Sequence, residues 1–566
     1  FSQPLTAFGG WADGRVLEAA RAYSGKTIGA YGRFASDGSE PLLMKVGISY
    51  TSTEGARKNL DAELGHWDFD RVVEESDEEW NGLLSRIEVS GGTGAQRTKF
   101  YTDLWRTLLG RRVMNDVDGK YLDYTTGAPR IKQVPLKECG EPRFNMHNFD
   151  AKWGTHWSLN ILWPLLAPER MSDFCSTMVQ MYRDGGLIPR GPSGGNYTFV
   201  MIGDSAAPFI TSAYAKGIRD FDYETALEGL VRNTEADGSR YYGGYGHKPR
   251  LATHEQYTRQ GYVSPKNHLF GSHRDAVSSL TLYNSFHDWC IAEMARSIGQ
   301  MELYEKFIPG AKNYRNVIWS EKQSAWVRLE DGSWKPNFSP TVDGFAQLGF
   351  CEGNAAMSTF YVPQDPLGLA ELLGGPTAAA QLLNSYFEQA EPYHFKPQRR
   401  EGAHAQISIG YTNQDGTGHA HYFNRIGYPW LSQKWARAVQ EKVFADTGPY
   451  AGYHGDEDQG QMGALSALLA MGLFQFDGGS SPDSAYDLTA PIFDEVAIRL
   501  SPEYHGGNTF RIVTRNNAPD HVYIQSATWN GQPLDRSLLP HSELVQGGTL
   551  ELQLGPEPNK EWGTQP

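Results

Sequence analysis

The sequence predicts a mixed fold, a double ring of six helical hairpins entered and left through β-rich segments. Three observations predict it. Between positions 95 and 480 apolar residues recur at helical spacing in about twelve blocks, cut by long Gly/Pro/Asn loops. The segments before position 54 and after position 480 instead alternate apolar and polar residues, as half-buried strands do. The 566 residues are also too many for one hydrophobic core, so two or three domains are expected.

Composition narrows the class of ligand. Hydrophobic residues make up 40% of the chain and charged residues 21%, as in an ordinary soluble protein. Aromatics reach 12%, with 15 Trp and 29 Tyr. Rings stack on the C–H faces of sugars, which suits a carbohydrate-binding cleft, although rings also simply fill cores. The formal net charge of −15 argues against nucleic acid or an anionic membrane as partner and fits a neutral ligand or a cation site. The four cysteines, Cys139, Cys175, Cys290 and Cys351, form no C-x-x-C pair, which argues against zinc. Cys175 and Cys290 read as small buried hydrophobes, and the redox compartment stays open. No run reaches the ~18 apolar residues of a membrane span. The chain starts on Phe1 rather than Met, which predicts processing or a fragment, with any export signal already removed.

In chain order, residues 1–53 read as part of a β-sandwich. Lys26 to Phe34 and Pro41 to Tyr50 are strand patterns separated by the turn cluster Ser36 to Glu40. So few strands form no stable sheet pair alone, so completion by upstream sequence or another chain is expected. Residues 54–92 read as a helical linker, with helices over Ala56–Leu64 and Asp68–Ile87. Residues 93–480 hold the helical blocks. These are Lys99–Val113, Trp157–Leu166, Ser172–Tyr182, Ala206–Gly217, Tyr223–Arg232, Val277–Gly299, Met301–Trp319, Ala355–Tyr361, Pro376–Gln389, Gly418–Asn424, Leu431–Phe444 and Gln461–Phe474. Residues 481–566 return to strand patterns at Ala497–Leu500, Thr509–Thr514, His521–Trp529 and Thr549–Leu554, which join the N-terminal strands in one sandwich.

Five loops between the helical blocks carry candidate chemistry. Asp456-Glu457-Asp458 sits between Gly455 and Gly460, just ahead of the apolar helix that starts at Gln461. Carboxylates at the mouth of a core helix are costly unless a ligand, metal or water is held there. An isolated acidic loop of this kind is more often an ordinary surface loop with a cap. Glu352, between Cys351 and Gly353 and ahead of an apolar stretch, is poorly solvated. Such a carboxyl is expected to hold its proton, as a general acid must, though a helix N-terminal Glu explains it as well. Gly410 to His421 offers Asn413, Gln414 and Asp415, oxygen donors suited to a hard cation such as Ca2+, or simply a polar turn. His419 and His421, two apart, do not share a helix face, so a His-pair metal site is not expected. Gly185 to Thr198 surrounds Arg190 with Gly and Pro and lacks the G-K-[ST] of a nucleotide loop. Trp153-Gly-Thr-His156-Trp157 offers a stacking wall and an imidazole donor for sugar hydroxyls, or a core aromatic pair.

Taken together these loops resemble the calcium-dependent α-mannosidases of glycoside hydrolase family 92. The resemblance runs from Lys45–Tyr50 and Ala62–Leu64 through Arg86–Val89, Asp116–Tyr121, Met181–Gly186 and Met201–Gly203. It continues at Glu352–Ala355, Gly455–Met462 and Gln525–Gly531. It implies an N-terminal β-sandwich, an (α/α)6 barrel and a site between them, with part of the sandwich and of the sugar pocket upstream of Phe1. It implies an exo-acting mannosidase that inverts the anomeric centre of terminal α-linked mannose. Glu352 would be the general acid, and Asp456 and Asp458 would activate water from the opposite face. Glu457, between them, would point the other way. Trp153, His156, Trp157, Arg190 and Asn354 are the candidate sugar contacts, with a solvated surface Arg as the other reading of Arg190. By the same resemblance, Ca2+ would bind the sugar's 2- and 3-hydroxyls with Asn413 and Gln414 in its shell. The protein would be secreted or periplasmic.

Two departures from the family pattern stand out. Many members carry Trp-Asp where this chain has Trp153-Gly154 or His156-Trp157, and that acid contacts the terminal sugar. Many carry Gly-Asn-Glu where this chain has Tyr411-Thr-Asn413-Gln414, so a preference for the α-1,2 linkage is not implied. Loss of a carboxylate there also suits an anionic leaving group, which opens a mannosyl-phosphodiester hydrolase as the alternative. A phosphorylase would need a basic pocket, for which only Arg190 and the pair Arg399-Arg400 are candidates. A non-catalytic glycan-binding protein is the alternative of another class.

Overall fold

The computed structural model describes residues 1–35, 38–149, 152–242, 251–265, 276–342, 349–397, 408–411 and 414–564. The chain divides into two compact units. The smaller comprises residues 1–78, 114–122 and 131–143, and the larger holds the rest.

In the smaller unit, Arg15–Glu18, Ala7–Ala12 and Ile28–Arg33 form an antiparallel three-stranded sheet in that order. The helix Thr53–Glu63 starts where the Ser52 hydroxyl accepts the Gly55 amide at 2.9 Å. Asn59 on this helix donates to the Ile48 carbonyl and to Asp116, both at 2.9 Å, and accepts the Val117 amide at 2.9 Å. One buried amide thus ties three stretches of chain together. Residues 41–50, expected as a strand, form no regular element. Met44, Val46 and Ile48 there alternate outward, at 63%, 65% and 69% exposure.

The larger unit is built on helices that are buried nearly all round. Gln461–Met471 is buried at every position and Val277–Ile298 at most, as expected for helices inside a core rather than on its surface. Gly94–Leu108 begins with a reciprocal capping box between Thr93 and Gln96 and packs on Gln461–Met471. Cys175 and Cys290 are fully buried.

Six strands of this unit form its largest described sheet. Its order is Gln532–Pro533, Tyr523–Trp529, Gly548–Gly555, Thr509–Arg515, Glu495–Arg499 and Ile87–Ser90. Phe510, Ile512, Leu550, Leu552 and Leu554 alternate inward along it, which fixes the register.

Several boundaries differ from expectation. The second linker helix ends at Leu84, and Ile87–Ser90 is a strand paired with Ile498–Glu495. The N-terminal contribution to this sheet is therefore that one short strand, while the strands of residues 1–33 form their own sheet. The block expected over Met301–Trp319 is α-helical only to Phe307, because Pro309-Gly310 break it into a 3-10 turn and a short strand. Leu251–Gln260 and Pro366–Leu372 are helices that periodicity missed.

One ion pair ties helix to sheet. Arg425, at the end of the helix His419–Arg425, reaches both Asp487 oxygens at 2.7 and 2.8 Å and the Ala485 carbonyl at 2.8 Å. Asp487, on the strand Ala485–Leu488, also accepts the Phe476 amide at 2.9 Å. Breaking such a pair strands a buried guanidinium, so Asp487→Ala is expected to cost about 3 kcal/mol. A urea or thermal unfolding curve reads this, and an unchanged midpoint refutes it.

Candidate active site

Three loops of the larger unit bring carboxyl groups together. The first carries Glu352 and is pinned to the start of the helix Val277–Ile298. The Gly349 carbonyl accepts the Ser278 amide at 2.9 Å, and the Cys351 amide donates to the Ser279 hydroxyl at 3.0 Å. Glu352 sits half-buried at φ 50°, in the left-handed region that is uncommon for a residue with a side chain. Asn354 then caps the short helix Ala355–Ser358 by accepting the Met357 amide at 3.0 Å.

The second loop carries Gln414 and Asp415. Asp415 is fully buried, yet both oxygens are served: Tyr283 donates to one at 2.7 Å and Ser358 to the other at 2.9 Å. Burial pushes its carboxyl up to about 6 against the pull of those two hydroxyls, and the Glu352 charge adds to the push. Gly353 lies so close that an added Cβ would meet an Asp415 oxygen at 3.0 Å. His419 staples the first two loops, with its ring nitrogens 2.7 Å from the Gly416 carbonyl and 2.8 Å from that of Met357.

The third loop carries Asp456, Glu457 and Asp458, which end up in three environments. Asp456 is exposed. Glu457 turns onto the backbone, accepting the Gly460 amide at 2.8 Å and the Gly463 amide at 3.2 Å, and so caps the helix Gln461–Met471. Asp458 accepts from the Gln414 side-chain amide. Its carboxyl is pushed up to about 7, mainly by burial, opposed by the Gln414 bond, with further pushes from Asp456, Glu352 and Glu457. Asp458 and Gln459 stand at φ 55° and 53°, followed by Gly460 at 96°. Such strain collects at functional sites.

The structure thus brings together Glu352, Gln414, Asp456 and Asp458 of the residues singled out from the sequence. It assigns the others differently. Trp157 is 1% exposed and its indole donates to the Phe476 carbonyl at 2.8 Å, so it has no open face for a sugar. His156 is buried among Trp157, Phe286 and Tyr361, and burial lowers its imidazole to about 3, so it is neutral. Trp153 is buried and stacks on Tyr283 at 5.7 Å, supporting the ring that holds Asp415. Arg190 is buried and donates to the carbonyls of Phe199, Val200, Met201, Ser239 and Tyr242, at 2.7 to 3.3 Å; it staples loops. The Asn354 side chain serves as a helix cap. Asn413, Arg399 and Arg400 lie outside the described residues. Sequence reasoning offered Asp415 only as an oxygen donor for a cation and missed Tyr283, Ser358 and Gln461, the last of which lies 3.5 Å from the Gln414 amide.

This chain belongs to glycosyl hydrolase family 92, whose catalytic domain matches residues 55–556. An inverting mannosidase of that family from Bacteroides thetaiotaomicron is 28% identical, with a TM-score of 0.83, over 100% of this chain and 73% of its own. An α-mannosidase of the same family and organism is 21% identical, with a TM-score of 0.81, and shares the fold over 100% of this chain and 71% of its own. An uncharacterized secreted glycosidase of Arthroderma benhamiae is 25% identical over 572 residues, which is 95% of this chain. The chain spans 64% of the length of that curated relative.

The raised Asp458 carboxyl has a consequence for stability. Its ordinary value is about 3.9, and the folded value is about 7. A group raised on folding contributes its stability fully below the lower value and loses it as pH rises through the higher one. Stability from this site therefore falls between pH 4 and 7. Asp458→Asn, which tolerates the left-handed backbone, is expected to melt above the parent at pH 8, with the gap closing at pH 4. Equal melting shifts at both pH values contradict this.

Proposed function

We propose that this chain carries the catalytic machinery of an inverting, exo-acting α-mannosidase acting on terminal α-linked mannose of glycans, on an (α/α)6 barrel. The observation that carries the reading is the pairing of Glu352 with Asp458. They come from loops about a hundred residues apart, and each stands on left-handed backbone. The Glu352 charge reaches the Asp458 carboxyl. Family membership supports it, as does the 28% identical relative, itself an inverting mannosidase.

In this reading Glu352 protonates the departing glycosidic oxygen. Asp458, with the exposed Asp456 beside it, takes a proton from water, and that water attacks the anomeric carbon from the opposite face. Inversion needs the two carboxyl groups roughly 6.5–9.5 Å apart, with room for the water between. Asp458 must be ionised to act as base, and its amide bond from Gln414 favours that form. Glu457 is spent on the backbone and takes no part.

The donor set fits a hard cation in kind, being carboxylate and amide oxygen. Sugar hydroxyls are expected to complete the shell. Gln414, with Asn413 beside it in sequence, would hold Ca2+, which when bound supplies positive charge to sugar hydroxyls and to the carboxylates around them. The secreted relative supports an extracellular or periplasmic place. The exposed row Met44, Val46 and Ile48 supports completion of the smaller unit by a further segment or chain.

A mannosyl-phosphodiester substrate is disfavoured by the charge here, since the carboxylates that activate the water, Asp456 and Asp458, repel a phosphate. A panel of α-1,2, α-1,3, α-1,6 and phospho-linked mannosides, with the product anomer read by NMR, separates the readings. Release of β-mannose from the neutral linkages supports the proposal. Retention of configuration, turnover of phospho-linked substrates alone, or binding without turnover overturns it.

Two expectations follow for variants and chelation. Glu352→Gln is expected to lower kcat on a sugar leaving group by about 10²–10⁴-fold while largely sparing a nitrophenyl mannoside, whose leaving group needs no proton. Equal losses on both remove Glu352 from the acid role. EDTA is expected to abolish turnover and added Ca2+ to restore it; turnover indifferent to chelation removes the metal.

A further inference from the structure

The acidic loop holds its shape against its own preference. Asp458 and Gln459 are consecutive non-glycine residues in the left-handed region. For a residue with a side chain that region costs roughly 1–2 kcal/mol. Gly460 continues the turn, pressed against the helix Gly94–Leu108 so closely that a Cβ would meet the Thr107 Cα at 2.5 Å. Something must keep the two residues before it from relaxing.

Arg111, just beyond that helix, does so. One guanidinium nitrogen donates to the Gln459 side-chain oxygen at 2.9 Å and another to the Gln459 backbone carbonyl at 2.6 Å. The group is 8% exposed and lies over the Trp163 ring at 5.3 Å, itself fully buried. A rigid fork that grips both the main chain and the side chain of one residue fixes its backbone angles. A lysine, a single point charge, offers no such fork.

We propose that Arg111 is a positioning residue of the reaction. It holds Gln459, and with it Asp458, in the left-handed turn that sets the Asp458 carboxylate against Gln414 and toward the water it activates. This rests on Asp458 as the base.

The test uses the full chain and a nitrophenyl α-mannoside. Arg111→Met and Arg111→Lys are expected to lose about 10²-fold in kcat with KM nearly unchanged, the scale of an ångström misplacement. Gln459→Gly in the Arg111→Met background is expected to recover several-fold of that loss, because glycine takes the left-handed conformation freely. In an Asp458→Asn background Arg111→Met is expected to cost nothing further, since it acts through that carboxylate. Hydrogen exchange gives a readout free of activity: the Gly460 and Gly463 amides, held by Glu457, are expected to exchange faster in Arg111→Met.

Parent-like kcat in Arg111→Met with only a lower melting temperature overturns the proposal, as does unchanged exchange at the two glycines. Full turnover by Asp458→Asn alone overturns the base assignment and the positioning role together. Loss of kcat in Arg111→Met that Asp458→Asn does not absorb overturns the positioning role alone.

Discussion

Everything at this site follows from placing carboxyl groups at the rim of an apolar core. A desolvated carboxylate is unfavourable unless donors or water replace its hydration. The larger unit supplies those donors from far apart in the chain. Tyr283, inside a long buried helix, and Ser358, at the end of a short one, serve Asp415. The start of the helix Gln461–Met471 serves Glu457 with two backbone amides. Gln414 serves Asp458, and Asp456 is exposed. The three adjacent acids thus have different chemistry because the backbone turns between them, not because their residue types differ. The raised Asp458 and Asp415 carboxyls are the residual cost of that placement.

The long helices and the closing strands were legible in the sequence because their periodicity extends over many residues. Val277–Ile298 and Gln461–Met471 fall within two or three residues of expectation. Ile87–Ser90 was not legible, because four residues after a helical run carry too little alternation to be told from its tail. Its identity as a strand depends on Glu495–Arg499, some four hundred residues away.

The acidic loop and the Glu352 loop were legible because charge flanked by glycine at the head of an apolar run is locally anomalous. The same reasoning offered Trp157, Arg190 and Asn354 as sugar contacts, and in the structure each makes internal hydrogen bonds. Glycine and proline around a polar residue mark backbone that can turn, but turning inward is as feasible as turning toward a ligand. Arg190 turns inward and its planar fork serves carbonyls of two loops. Asn354 uses its one good acceptor on its own helix. The bond that holds Asp415 was not legible because Tyr283, its partner, stands 132 positions away on a helix face with no motif of its own.

Gly154 shows how two distant positions become a single unit of variation. It stands at φ 79°, and a Cβ built there would lie 2.4 Å from the Gln414 Cγ. Position 154 can therefore carry a side chain only if position 414 carries something that withdraws. A side chain placed at position 154 would dislodge the amide that serves Asp458, so a redesign here has to exchange both residues at once.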